Sequence, residues 1–235
     1  MRIVAREPSA PPGAAGGESL VVRYARMAHD FEPRPVDAVL RALDVLLAGV
    51  ALLALSPLLV LCALGVRASG RPVLYRGVRV GRAGRIFAMY KLRTLKPGAE
   101  ERLGPYLGDE LTRLTHAETT RVGRALRRAK LDELPQLVNV VRGDMSLVGP
   151  RPIRPVFFEE LAHDLPAYWQ RLTVRPGLTG LAQVRRGYET SMAEKLAHDL
   201  EWIADRSVRL YLRTVWATGW RVVKQSLRGS VSPSD

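Results

Sequence analysis

The chain has 235 residues, a formal net charge of +13, one cysteine and four histidines. This length accommodates one domain with a core plus attached segments, and the charge favours an anionic partner such as nucleic acid, a phosphorylated substrate or an acidic lipid surface. The lone cysteine excludes an internal disulfide bond, and the scattered cysteine and histidines lack the spacing of a zinc site.

Residues 1–33 are rich in proline, glycine and alanine and show no hydrophobic periodicity. Because such a composition buries little apolar surface, we predict a flexible tail here. A second, shorter tail is predicted at residues 229–235.

Residues 45–66 contain no charged side chain. As a helix this run is about 33 Å long, enough to cross a bilayer. A buried helix in a soluble core is the alternative, and the length of the run argues against it. We assign residues 34–71 to the membrane.

Arginines flank the apolar run on both sides, and basic flanks favour the cytoplasm. Near the middle, Pro57 removes one backbone donor, and the Ser56 hydroxyl can bond to the carbonyl that this leaves free. A re-entrant helix that bends at Ser56 and Pro57 fits both features. A spanning helix stays open, because cytoplasmic domains can be basic for other reasons.

Residues 72–76 and 85–91 have the composition of short strands, with glycines between them that indicate a turn. Residues 96–119 are polar and irregular, which predicts a long mobile loop with a short helix near residues 110–114. Apolar side chains then recur at helical spacing from Leu134 to Val141, and Pro135 suits a first helical turn, so we expect a helix over residues 132–143.

Asp132 and Glu133 fall at the start of that helix, where the backbone donors and the helix dipole stabilise anions. They are either capping acids or, within a cluster of cations, groups that hold a divalent metal or attack phosphorus. The surrounding cations are Arg121, Arg124, Arg127, Arg128, Lys130, Arg142 and Arg151.

Residues 206–228 interleave basic and apolar side chains, which is typical of an amphipathic helix. Together with Trp202, Trp216 and Trp220 they suit an interfacial position on a membrane. A surface helix packed on the domain is the alternative.

Five blocks follow the apolar segment in this order: YKLRT at 90–94, TRVGR at 120–124, LDELPQL at 131–137, GDMSLVGPRP at 143–152 and RPGLTGLAQV at 175–184. With these blocks, over about residues 36–225, the chain resembles the bacterial sugar transferase family, the small monotopic phosphoglycosyl transferases. It resembles their minimal form, without an N-terminal multi-span domain.

The resemblance implies transfer of a phosphosugar from a UDP-sugar to polyprenyl (undecaprenyl) phosphate with release of UMP, as the first membrane step of exopolysaccharide or related glycan synthesis. Asp132 would attack the β-phosphate and carry the phosphosugar, and Glu133 would be its catalytic partner and the ligand of Mg²⁺. The residues implied in binding substrate phosphates are Lys91, Arg93, Arg127, Pro150 and Arg151.

The implied fold is α+β and mostly helical. A re-entrant membrane helix broken at Ser56 and Pro57 precedes a compact cytosolic catalytic domain over residues 72–205 and an amphipathic interfacial helix over residues 206–228. The expected location is the cytoplasmic face of the bacterial inner membrane, in contact with lipid. The resemblance implies no nucleic-acid partner and allows a homodimer.

The chain departs from the family at several positions. Leu92 and Leu95 stand where Phe and Met are usual, residues 96–119 diverge, and residues 185–188 replace a common Gly-Arg-Asn. Because this last region can bear on recognition of the sugar or the nucleotide, the sequence does not specify the sugar.

Two other classes of protein remain as alternatives. A nucleic-acid binder would explain the charge, but neither the uncharged run nor two acids among arginines. A non-catalytic membrane scaffold would keep the apolar segment without needing Asp132, Glu133 and Arg151.

Overall fold

The computed structural model describes residues 34–103, 108–185 and 191–228, and this part of the chain is mostly helical, as predicted, with two small sheets, of which the sequence predicted only the first. The helices and strands are α1 Pro35–Ala68, β1 Leu74–Val80, β2 Ile86–Leu92, α2 Ala99–Leu103, α3 Gly108–Glu118, α4 Arg121–Arg128, α5 Gln136–Arg142, β3 Ser146–Val148, α6 Pro155–Asp164, β4 Gly177–Thr179, α7 Leu181–Arg185, α8 Met192–Asp205 and α9 Val208–Arg228. Three 3₁₀ segments, Arg82–Gly84, Leu131–Glu133 and Pro166–Thr173, connect them.

The two sheets are a hairpin and a short parallel pair. β1 and β2 are antiparallel, with Gly77 opposite Met89, and the predicted turn between them is the 3₁₀ segment Arg82–Gly84. β3 and β4 are parallel. Gly149, which comes directly after β3, lies so close to the segment before β4 that an added Cβ would be 2.5 Å from the Arg175 carbonyl oxygen. These contacts hold the block at residues 143–152 against the block at residues 175–184.

The largest apolar core lies where α1, α5, α8 and α9 meet the strands. Leu137, Val140 and Met145 are buried there with Trp202 and Tyr211. Trp202 is therefore a core residue on α8, so its predicted interfacial position is wrong. Trp216 and Trp220, on α9, are 76% and 65% exposed, as that prediction requires.

Helix α1 packs along the domain through one face and leaves the other exposed. Near its start, Asp44 and Ala48 are buried, and Arg41 donates to the carbonyls of Val140 and Val141 at the end of α5 (2.6 and 2.8 Å). Near its end, Val66 is buried in a cluster with β2 and α4. Both ends of α1 thus contact the same domain.

Helix α1 is continuous through Ser56 and Pro57, so the expected break in the helix is absent from this structure. The physical reason is local. Pro57 has no N–H for the carbonyl of Leu53, and the Ser56 hydroxyl donates to that carbonyl instead (2.8 Å), as the sequence suggested. The re-entrant path stays a prediction.

Two further boundaries differ from the sequence predictions. Residues 96–119 hold two helices: α3 contains and extends the short helix predicted near residues 110–114, whereas α2 was not predicted. The helix expected from residue 132 begins at Gln136, after the 3₁₀ turn Leu131–Glu133, although it ends before Gly143 as predicted. The predicted tails, residues 1–33 and 229–235, lie outside the described residues.

Candidate active site

The two acids Asp132 and Glu133 lie in the 3₁₀ turn between α4 and α5. Lys130 opens the turn with φ of +58°, a left-handed conformation that a non-glycine residue adopts at a cost. The bonds that follow, from Glu133 N–H to Lys130 and from Leu134 N–H to Leu131, span three residues instead of four. The acids therefore lie before α5, whose N-cap is Pro135 with no side-chain cap bond, and this arrangement argues against the capping interpretation.

Glu133 is bound by two cations from distant parts of the chain. Lys91 Nζ, on β2, lies 2.7 Å from Glu133 Oε1, and the Arg151 guanidinium, after β3, lies 3.1 Å from the same oxygen. Burial acts to raise the pKa of Glu133, but the charges of Arg151 and Lys91 outweigh it and lower the pKa to about 2. Glu133 is thus a carboxylate at every physiological pH.

Asp132 is only 7% exposed. Its burial raises its pKa; the charge of Lys91 opposes this rise, and the Glu133 carboxylate adds to it. Arg127 and Lys130 contribute weaker favourable charges. A desolvated carboxylate next to several cations is a stronger nucleophile than one in water, provided that it is ionised.

The segment after β2 brings Arg127 to the two acids. The Thr94 carbonyl accepts the N–H of Thr120, and the Thr94 hydroxyl accepts a bond from Arg127 Nε (2.9 Å). A Cβ on Gly123 would lie 2.1 Å from the Thr94 carbonyl oxygen, so α4 approaches this segment as only glycine allows. The charge of Arg127 then acts on both Asp132 and Glu133.

The structure therefore brings Lys91, Arg127 and Arg151 together around Asp132 and Glu133, whereas their roles in phosphate binding stay a prediction. It places Arg93 and Pro150 differently. Arg93 is buried, and its guanidinium donates to the end of α1 and to nearby loops. Its acceptors are the carbonyls of Val66, Gly70, Pro72 and Leu95 and the Ser69 hydroxyl.

The contacts of Arg93 are those of a structural residue that anchors the α1 end, and they give no support to phosphate binding by its side chain. Pro150 is buried, and its carbonyl accepts the Gly177 N–H (2.8 Å). It supports the backbone from which Arg151 projects.

Asn139 is a residue of this region that the sequence prediction missed. It is fully buried on α5; its amide oxygen accepts the Tyr90 N–H (3.0 Å), and its amide nitrogen donates to the carbonyl of Ala88 and to Asp144. These bonds fix β2, and so Lys91, against the helix that follows the acids. The available signal was an amide within an apolar helical face, since a buried amide needs partners.

Asp44 is a second missed residue, the only acid in α1 close to the apolar run. Its carboxylate accepts bonds from the Ser146 hydroxyl, the Leu147 N–H and the Tyr211 hydroxyl (2.8 to 3.0 Å). It thereby joins α1 to β3 and α9. A buried acid on an apolar helix predicts such partners, although the sequence does not say which.

No cluster of three or more His, Cys, Asp or Glu side chains occurs within residues 34–103, 108–185 and 191–228. Mg²⁺ is commonly held by one or two carboxylates plus substrate phosphates and water. The adjacent acids Asp132 and Glu133, facing an expected phosphate site, fit this type of site.

The bacterial sugar transferase family model matches residues 36–225, a span that contains every residue of this site. The chain belongs to the bacterial sugar transferase family. One relative in that family is the UDP-glucose:undecaprenyl-phosphate glucose-1-phosphate transferase of Caulobacter vibrioides, 42% identical over 192 residues, which cover 77% of this chain and 69% of the relative.

Two other members of the bacterial sugar transferase family differ in length. The UDP-N-acetylgalactosamine-undecaprenyl-phosphate N-acetylgalactosaminephosphotransferase of Aeromonas hydrophila is 36% identical over 191 residues, 79% of this chain but only 44% of the relative. The exopolysaccharide production protein ExoY of Sinorhizobium fredii is 36% identical over 197 residues, 79% of this chain and 86% of the relative. The chain thus spans less than half of the first and most of the second.

Proposed function

We propose that this transferase moves a sugar-1-phosphate from a UDP-sugar to undecaprenyl phosphate, with release of UMP. The observation that carries the proposal is the pair Asp132 and Glu133. One acid is buried among cations, and the other is already bound by Lys91 and Arg151. Phosphoryl transfer requires a positioned nucleophile and neutralised phosphate oxygens, and this cluster contains both.

In the proposed first step, an oxygen of the Asp132 carboxylate attacks the β-phosphorus of the UDP-sugar. The bond from that phosphorus to the bridging oxygen breaks, and UMP leaves with the bridging oxygen and its electron pair. In the second step, an oxygen of undecaprenyl phosphate attacks the same phosphorus. The Asp132 carboxylate is then regenerated, and undecaprenyl diphosphate-sugar is the product.

The cations have separate tasks in this scheme. Lys91 and Arg151 hold Glu133 ionised and flank the position of the diphosphate, and Arg127 approaches from α4. Mg²⁺ bound to Glu133 and the donor phosphates would neutralise charge on the leaving UMP.

We propose that α1 attaches the enzyme to the cytoplasmic face of the inner membrane as a re-entrant helix. Only 6% of its most apolar stretch is buried in the domain, so a wide apolar face needs cover that lipid can provide. The contacts of both α1 ends with one domain support an arrangement in which both ends are on one side. The exposed Trp216 and Trp220 of α9 support interfacial contact.

The sugar is the open part of the proposal. By their names, the relatives act on glucose or N-acetylgalactosamine donors, and one takes part in exopolysaccharide production. The divergent residues 186–188 lie outside the described residues. UDP-glucose and UDP-N-acetylgalactosamine are therefore the first donors to test, and exopolysaccharide synthesis is the proposed pathway class.

The test is UMP release by purified enzyme from a panel of UDP-sugars, with and without undecaprenyl phosphate and Mg²⁺. We expect acceptor-dependent UMP release from at least one donor, its loss with excess chelator, and its loss in Asp132→Asn. Asp164→Asn, an exposed acid on α6, is the matched control and should stay active. A protein that releases no UMP from any donor would fit the scaffold alternative instead.

A further inference from the structure

A cavity of about 560 Å³ lies beside the 3₁₀ turn of the active site, between α1 and α9. Its volume falls within the ~300–1,000 Å³ typical of small-molecule sites. We call it the acceptor groove and define it by its apolar wall and its polar rim. The wall includes Ala51, Leu55, Leu134, Leu137, Leu178 and Val222.

The wall of the acceptor groove is continuous with the surface proposed to face lipid. Ala51 and Leu55 belong to the apolar run of α1, and the exposed Leu53 and Leu58 lie on the same stretch of helix. On the opposite side, α9 contributes Val222 and carries the exposed Trp220. The groove wall and the surface proposed to face lipid are therefore built from the same two helices, α1 and α9.

The rim of the acceptor groove is cationic and ends at the catalytic turn. Lys130 and Glu133 line it on one side, directly beside Asp132 in the chain. Arg221 lines it on the other, where its guanidinium donates to the Gln183 carbonyl (2.6 Å). The groove lining thus includes two cations, Lys130 and Arg221, beside the 3₁₀ turn, while Glu133 is bound by Lys91 and Arg151.

The floor of the groove is fixed by a polar contact between α9 and β4. The hydroxyls of Thr179 and Thr218, which both line the cavity, are 2.7 Å apart. This bond joins α9 to β4 at the groove.

We propose that the acceptor groove binds the first isoprene units of the polyprenyl phosphate acceptor, with the phosphate at the Lys130–Arg221 rim. The proposal rests on the proposed function, because it assigns a site to the acceptor of that reaction. A full undecaprenyl chain is larger than the cavity, so the remaining units follow α1 into the bilayer. The polar UDP-sugar donor would gain little from contact with this apolar wall.

The first test compares two tryptophan variants on neighbouring positions of α9. Val222→Trp fills the groove, whereas Val223→Trp adds the same bulk to an exposed position outside it. With undecaprenyl phosphate in nanodiscs, Val222→Trp should raise KM for the acceptor roughly tenfold or more, since apolar contacts are lost. KM for the UDP-sugar should stay within about twofold, and Val223→Trp should match wild type in both.

An unchanged acceptor KM in a folded Val222→Trp enzyme would overturn the assignment. So would an equal rise in Val223→Trp, which would indicate a general effect on membrane contact. A shorter acceptor series, from geranyl to farnesyl to geranylgeranyl phosphate, gives an independent readout in wild type. Its KM should improve with each unit that enters the groove and then level off.

A binding experiment separates this proposal from the function on which it rests. A benzophenone-bearing farnesyl phosphate should cross-link wild-type protein to peptides from α5, α9 or the middle of α1, and undecaprenyl phosphate should compete. Labelling confined to other segments would overturn the groove even in an active enzyme. Labelling of the groove in a protein that releases no UMP from any donor would keep the site and refute only the proposed chemistry.

Discussion

At the scale of single residues, the site depends on the different environments of two adjacent carboxylates. Glu133 is ionised with a pKa of about 2, because Arg151 and Lys91 overcome its burial. Asp132 is buried, none of the ion pairs found among the described residues involves its carboxylate, and its pKa is raised. Neighbouring acids whose pKa values are shifted in opposite directions are suited to separate roles, one as a permanent anion and the other as a nucleophile.

Glu133→Gln should reduce UMP release by at least roughly a hundredfold, because the neutral amide can no longer balance Lys91 and Arg151 or hold a cation. The thermal midpoint in detergent should fall by only a few degrees, since both cations are partly exposed and regain water. Glu118→Gln, which breaks only the surface pair with Arg102, is the control and should keep full activity. A Glu133→Gln enzyme with wild-type turnover would exclude the assigned role.

The raised pKa of Asp132 predicts where activity is lost in acid. The nucleophile must be deprotonated, so kcat/KM for the UDP-sugar should fall as the pH drops through this pKa, at a higher pH than for a free aspartate. Glu133 cannot produce that limb, because its pKa is near 2. Samples held at each pH and assayed at neutral pH control for unfolding. An acid limb that is absent, or that lies below the range of an ordinary aspartate, contradicts the prediction.

At the scale of elements, α1, the β1–β2 hairpin and α9 could be predicted from the sequence because their apolar residues follow a recognisable pattern. α2 was missed, and α3 was predicted only over residues 110–114, because the polar residues of both helices show little hydrophobic periodicity. The start of α5 was placed too early because the 3₁₀ turn before it contains the same residue types as a helix start. The left-handed conformation of Lys130, which separates the 3₁₀ turn from α4, is visible only in the structure.

The same limit applies to the site. The LDELPQL block indicated the two acids. The ion pairs of Glu133 join it to Lys91 and Arg151, 42 and 18 positions away, and so depend on the tertiary fold. Sequence could not separate Arg93, whose donors are used at the end of α1, from Lys91, two residues earlier on the same segment. Both are cations in one block, and only their contacts distinguish them.

The placement of α1 leads to a prediction about sidedness. Because both ends of α1 contact one domain, single cysteines at Ser19 in the predicted tail and at Ala117 in the domain should be equally protected from an impermeant thiol reagent in intact spheroplasts. The background is Cys62→Ser, and lysed spheroplasts provide the control in which both sites react. Labelling at Ser19→Cys alone would show that the helix spans the membrane.

At the scale of the whole molecule, the fold places the cations around Glu133 and the acceptor groove beside the same 3₁₀ turn, so the proposed donor and acceptor would meet at Asp132. β2 and the segment after β3 supply the cations around Glu133, and α1 and α9 enclose the acceptor groove on the adjacent side. The buried Asp44 ties α1 to β3 and α9, so the long apolar helix and the domain that holds the 3₁₀ turn are parts of one packed unit. A two-step reaction fits this arrangement, since donor and acceptor approach from different sides.

The central claim is that Asp132 carries the phosphosugar, and intact-protein mass spectrometry tests it most directly. Wild-type protein incubated with the active UDP-sugar and Mg²⁺, without acceptor, should gain the mass of one phosphosugar. Undecaprenyl phosphate should then remove the adduct, and Asp164→Asn should behave like wild type. Formation of the same adduct in Asp132→Asn, or none in a wild-type enzyme that turns over with acceptor, would contradict the account.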